Sequence, residues 1–152
     1  MCDHEPLKEG TVEETIQVGE VSYTAEAPAM VCPSCGESYL SVQTMGQIGW
    51  MVAADLARQG VGTPDAFRYM RKRLALKAIE LAELLGVSPE AISRWEHGVH
   101  TPDTKAVKLL GIMILEHIGQ RPMILDYLRS LLQVPEPREP HRRLPALSAA
   151  TG

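Results

Sequence analysis

The sequence lacks several features that would mark common protein classes. No apolar run approaches the roughly 18 residues that a membrane span needs. The opening MCDHEPLKEG has no basic stretch followed by an apolar one, so no secretory signal is expected. Cysteine is scarce: three residues, an odd number, which argues against a disulfide scaffold and for a reducing cytoplasm. No internal repeat is present. No carboxylate pair, nucleophile triad or glycine-rich phosphate loop stands out, so an enzyme is not expected.

What is present is an ordinary globular composition of 152 residues, 45% apolar and 22% charged. That suits one domain or two small ones and excludes wholesale disorder. The net charge is −4, which by itself argues against nucleic acid. The average conceals a polarised chain. Residues 1–67 carry ten acids (Asp3, Glu5, Glu9, Glu13, Glu14, Glu20, Glu26, Glu37, Asp55, Asp65) against Lys8 and Arg58, a net of −8. Residues 68–108 carry eight bases (Arg68, Arg71, Lys72, Arg73, Lys77, Arg94, Lys105, Lys108) against five acids, a net of +3. Such asymmetry suits two modules with different partners, or a solvated surface with none.

Alternating stretches on either side of Gly19, Thr11–Val18 and Glu20–Thr24, read as a hairpin. From residue 43 the period becomes helical, with Met45, Ile48, Val52 and Leu56 in phase and Gly60-Val61-Gly62 closing the helix. Thr63 as N-cap and Pro64 in the first turn start another. Helices are expected over about 78–85 and 89–97, after Thr101-Pro102-Asp103, and from near Pro122. From Val134 four prolines and small polar residues predict a disordered tail.

The strongest pattern is RKRLALKAIELAELLGVSPEAISRWEHGVHTP, residues 71–102. Leu81, Ala82 and Leu85 give one helix an inner face, Gly86 suits a left-handed turn, and Ser88-Pro89 caps and starts a second helix. Ile92 and Trp95 supply that helix's buried side. Two helices joined by a short glycine-containing turn make a helix-turn-helix. Leu76–Ser88 and Ile92–Gly98 also resemble the lambda-repressor-like (Xre) family. Helix 89–97 is then expected in the major groove of operator DNA, with Pro89, Glu90, Ser93, Arg94 and His97 outward. Arg94 suits a bidentate contact to guanine, and Glu90 could accept from cytosine N4. By the family pattern these two fall on base-reading positions, the alternative being an i,i+4 salt bridge between them. Lys77 and the helix N-terminus at Ser88 are expected at phosphates. The chain departs from the family with Ala78 where glutamine is usual and Lys77 where a Ser/Thr cap is usual. Arg71 and Glu96 fall on family positions that often pair, which reads as structural.

Cys32-Pro33-Ser34-Cys35-Gly36 has zinc-knuckle spacing. The same spacing serves thiol redox chemistry, but there it sits at a helix N-terminus, whereas here a hairpin precedes it. A tetrahedral Zn2+ needs two more donors, and the expected set is Cys2, His4, Cys32 and Cys35, with Glu5 or water competing for the place of His4. The zinc would be structural, because residues 1–40 have few large apolar side chains. Together, Pro28–Glu37, a linking helix and the helix-turn-helix resemble the MqsA/YgiT-type zinc-finger antitoxins over about residues 1–110. The resemblance implies a zinc module that binds a ribonuclease toxin and a C-terminal module that dimerises and represses its operon. The alternative is a stand-alone Xre-family regulator with a structural zinc module; a CxxC thiol oxidoreductase is a third reading.

The expected fold is mainly α with a small β N-terminal module. A zinc-ribbon-like hairpin module (1–42) precedes a linking helix (43–62), a five-helix lambda-repressor-like helix-turn-helix domain (63–133) and a disordered tail (134–152). The expected partners are double-stranded DNA with a palindromic operator, a second copy of the chain and a toxin, with no membrane. The apolar 109–133 segment reads either as the dimer surface or as ordinary core helices.

Overall fold

The computed structural model describes residues 6–120, 123–132 and 139–148. Its elements run β1 (Lys8–Val18), β2 (Val21–Val31), β3 (Ser38–Tyr39), α1 (Val42–Gln59), α2 (Pro64–Arg73), α3 (Ala78–Leu85), α4 (Pro89–Glu96), α5 (Thr104–His117), α6 (Ile124–Ser130) and β4 (His141–Arg143). They form two compact units, residues 1–51 with 139–152, and residues 52–138. The boundary between the two units falls inside α1. The helix buries Thr44 and Ile48 in its first half and Val52, Ala53 and Leu56 in its second, so its apolar stripe serves each unit in turn. Among the described residues no helix is long and apolar enough to cross a membrane.

In the first unit β1 and β2 pair antiparallel from Lys8↔Val31 to Val18↔Val21. Gly19, at φ 60°, is the first residue of the two-residue turn, where a positive φ favours glycine. The pleat sorts the side chains by parity. Thr11, Glu13, Thr15 and Gln17 are exposed on one face. The other face carries Val12, Ile16 and Val18 opposite Ala27, Tyr23 and Val21, and Tyr23, Ala25 and Ala27 there are fully buried. β3 pairs with the end of β2 at Met30↔Tyr39.

The expected disordered tail is corrected over residues 139–148. This segment lies along the free edge of β2, parallel to it, from Ser22↔His141 to Thr24↔Arg143. The Ser22 N–H donates to the Pro140 carbonyl at 3.1 Å; Leu144 and Leu147 donate to the carbonyls of Thr24 and Glu26, both at 2.9 Å. Leu144 is buried. Composition misled because a proline-rich segment has no periodicity of its own, while prolines favour the extended backbone that a strand edge can capture. The rest of the expected tail, 134–138 and 149–152, lies outside the described residues.

In the second unit four helices start on a side-chain or proline signal present in the sequence. Thr63 accepts from the Ala66 N–H at 3.3 Å, Ser88 from that of Ala91 at 3.1 Å, and Asp103 from those of Lys105 and Ala106 at 2.9 and 3.2 Å. For α3 the bond runs the other way, as described below. α2 packs against α4 and α5, and α3 against α4. Phe67, Met70, Leu81, Ile92, Leu110 and Ile114 are fully buried. The 109–133 segment divides: Leu110, Ile114, Leu115 and Tyr127 are buried, while Leu109, Met123, Ile124, Leu125 and Leu132 are exposed. The Tyr127 hydroxyl donates to the Ala57 carbonyl at 2.8 Å, fixing α6 to α1. Gly111 makes room for it: a Cβ there would stand 2.1 Å from that hydroxyl.

Candidate functional site

Two short helices and the turn between them form the first candidate site. α3 ends at Gly86, in the left-handed region at φ 66° and ψ 34°. The Val87 N–H reaches back to the Ala82 carbonyl at 3.0 Å. Two residues on, the Ser88 hydroxyl caps α4 and Pro89 occupies its first turn, so the hydroxyl is already committed to the helix end. Lys77 precedes α3 and has no acceptor atom to cap with. Instead Glu80 reaches back and accepts from the Lys77 backbone N–H at 2.6 Å, which leaves the ammonium out of the cap.

The inner side of the pair is held by packing and one ion pair. Leu81, Ala82 and Ile92 are buried. Trp95 is half-buried and meets Phe67 edge-on, with centroids 5.6 Å apart and rings at 80°. Glu96 is also buried, and Arg71 of α2 binds it with two nitrogens, Nε to Oε1 at 2.5 Å and NH2 to Oε2 at 2.8 Å. The third guanidinium nitrogen donates to the Leu76 carbonyl at 2.7 Å. The bond to Glu96 raises the Arg71 pKa above its ordinary value, against the opposing effect of burial.

The outer side of α4 carries Pro89, Glu90, Ser93, Arg94 and His97, all exposed. The 3.6-residue period puts Glu90, Ser93, Arg94 and His97 on one stripe. Among the described residues Glu90 and Arg94 form no ion pair, so the i,i+4 alternative is not realised in this structure. His97 Nδ1 lies 2.7 Å from the Ser93 carbonyl, which ties the ring back onto the helix. Lys77 and Ser88 are exposed at the N-termini of α3 and α4.

The second candidate is the CxxC turn between β2 and β3. The Gly36 N–H donates to the Cys32 carbonyl and the Cys32 N–H to that of Glu37, both at 2.8 Å. Gly36 takes φ 75°, the conformation that lets the chain double back under the cysteines. Cys32 is buried and Cys35 exposed. The turn opens no helix, since α1 begins at Val42. Two thiols three residues apart on such a turn are donors of the kind tetrahedral zinc takes. Cys2 and His4, expected to complete the set, lie outside the described residues. Among the described residues no group of three or more His, Cys, Asp or Glu could hold a metal.

A family model described as the antitoxin component of the bacterial toxin-antitoxin system, MqsA, matches residues 1–129. No curated protein and no solved structure gives a significant match.

Proposed function

The chain belongs to the MqsA antitoxin family, and from that premise we propose that it is the antitoxin of a type II pair which also represses transcription through α4. The observation that carries the DNA-binding part is the division of α4. Ile92 and Glu96 turn inward, while Glu90, Ser93 and Arg94 share one exposed stripe behind an N-terminus capped by Ser88 and started by Pro89. A helix set into the major groove needs this arrangement, with polar side chains near its N-terminal end aimed at base edges. Arg94 reads a guanine through two hydrogen bonds, Glu90 accepts from cytosine or excludes other bases, and Pro89 and Ser93 fit against the groove. Lys77 and the N-terminus of α4 at Ser88 meet phosphates and set the register. A homodimer presents two such helices to a palindromic operator.

The first unit takes the other roles. Its strong negative charge suits a basic toxin and disfavours DNA. Cys32 and Cys35, with Cys2 and His4, hold a structural zinc, which supplies cross-linking to a segment with few large apolar side chains.

Mobility-shift titrations on the protein's own promoter test this reading. Sequence-specific binding that weakens with salt is expected. Arg94→Ala should reduce affinity at least tenfold and relax specificity at one base pair, while Lys77→Ala lowers affinity evenly and flattens the salt dependence by about one phosphate. Binding that is indifferent to Arg94→Ala, or to sequence, would overturn it. Co-purification with the product of an adjacent toxin gene tests the second role separately.

A further inference from the structure

The segment 139–148 lies beyond the part of the chain matched by the antitoxin family, which ends at residue 129. We propose that the edge of β2 beside Ser22–Glu26 is a docking edge for an extended basic strand, and that residues 139–148 are its exchangeable resident. The proposal goes beyond the antitoxin reading and does not depend on it.

The edge has a chemistry of its own. Strand alternation turns the backbone groups of Ser22, Thr24 and Glu26 toward the docked segment, and all three are used by it. The same alternation places Pro28 on this edge, where its missing N–H takes nothing from the β1–β2 ladder but ends the pairing available to a docked strand. Glu13 and Glu26 stand directly opposite each other on the exposed face of β1 and β2, a like-charge pair that is unfavourable unless neutralised. Arg143 provides the countercharge: NH2 lies 2.5 Å from Glu13 Oε1. The next residue, Leu144, turns to the opposite face and is buried. Leu147 then lines a groove of about 670 Å³ that continues past Pro28 and Met30 to Tyr39. The edge thus selects an arginine, a leucine beside it and an extended backbone.

The resident is built to leave. It has a strand of three residues, pairs in parallel, is bracketed by Pro140 and Pro145, and among its described residues buries one side chain, Leu144. Its ion pair is more than half exposed on both partners and is therefore screened by salt. Any partner strand that pairs with β2 must carry the same chemistry and displace it.

The test uses the full chain with a specific protease site replacing residues 134–137, cleaved after folding. The probe is a fluorescent peptide with the sequence of residues 139–148. The peptide is expected to exchange into the cleaved protein and not into the uncleaved one, where the tether keeps the local concentration of the resident high. Its Kd should rise at least threefold between 0.1 and 0.5 M salt. Peptides carrying Arg143→Glu or Leu144→Asp should bind at least tenfold more weakly, and neither alters the folding of the protein. Glu13→Gln in the protein should weaken the parent peptide about threefold and remove most of the salt effect. No exchange after cleavage, or equal binding of parent and variant peptides, overturns the proposal.

Discussion

Arg71 and Glu96, 25 positions apart, form a two-pronged ion pair beneath α4, at 2.5 and 2.8 Å, with side chains 11% and 6% exposed. This pair and the Phe67–Trp95 contact both tie α2 to the end of α4. The exposed stripe of α4 therefore has a fixed position relative to α2, set by groups on the helix's inner side.

Removing one partner leaves the other charged and buried. Glu96→Ala is expected to cost about 3 kcal/mol in urea unfolding, while Arg71→Met with Glu96→Leu together should cost much less. A double variant as unstable as the sum of the two singles would show that the pair is not coupled.

Gly111 and Tyr127 fit as a pair. Gly111→Ala improves helix propensity by about 1 kcal/mol, but its Cβ would collide with the Tyr127 hydroxyl at 2.1 Å. A net loss of about 1–3 kcal/mol is expected from the overpacking. In a Tyr127→Phe background the closest remaining atom is Cζ at 3.2 Å, so the loss should shrink. Thermal unfolding of the four proteins measures this, and an undiminished loss in the Phe background would contradict it.

Tyr127 should also impose a limit at high pH. Burial pushes its phenol from 10.0 up to about 12. The unfolded chain gives up that proton first, so this contribution to stability is complete below pH 10 and declines as pH rises toward 12. Tyr127→Phe should lack that decline, and should lose about 1 kcal/mol at neutral pH with the bond to Ala57. Unfolding midpoints of both proteins from pH 8 to 12 are the measurement; parallel curves would refute it.

The proposed zinc site has a direct test in metal analysis. One zinc per purified chain is expected, lost in Cys32→Ser or Cys35→Ser, with the helical circular dichroism of the second unit retained. His4→Ala reports on the fourth donor. Metal content indifferent to Cys35→Ser would remove the turn from the site.

Most of the helical unit was legible in the sequence because its signals are local. Thr63-Pro64, Ser88-Pro89, Gly86 and Asp103 act on the backbone within a turn of themselves, and each stands at the helix boundary it marks. The outward set on α4 followed from the 3.6-residue period alone. The tail was not legible, since nothing in EPHRRLPALS prefers a strand until an edge is offered.

By itself, then, the sequence determined where α2, α4 and α5 begin and where α3 ends, which side of α4 faces out, and that a CxxC turn follows a hairpin. These depend on contacts between residues a few positions apart. Only the tertiary structure decided that α1 is divided between two units, that Gly111 makes room for Tyr127, and that residues 139–148 return to β2. Those outcomes depend on surfaces brought together from distant parts of the chain, and no local pattern encodes which open edge or cavity a segment will meet.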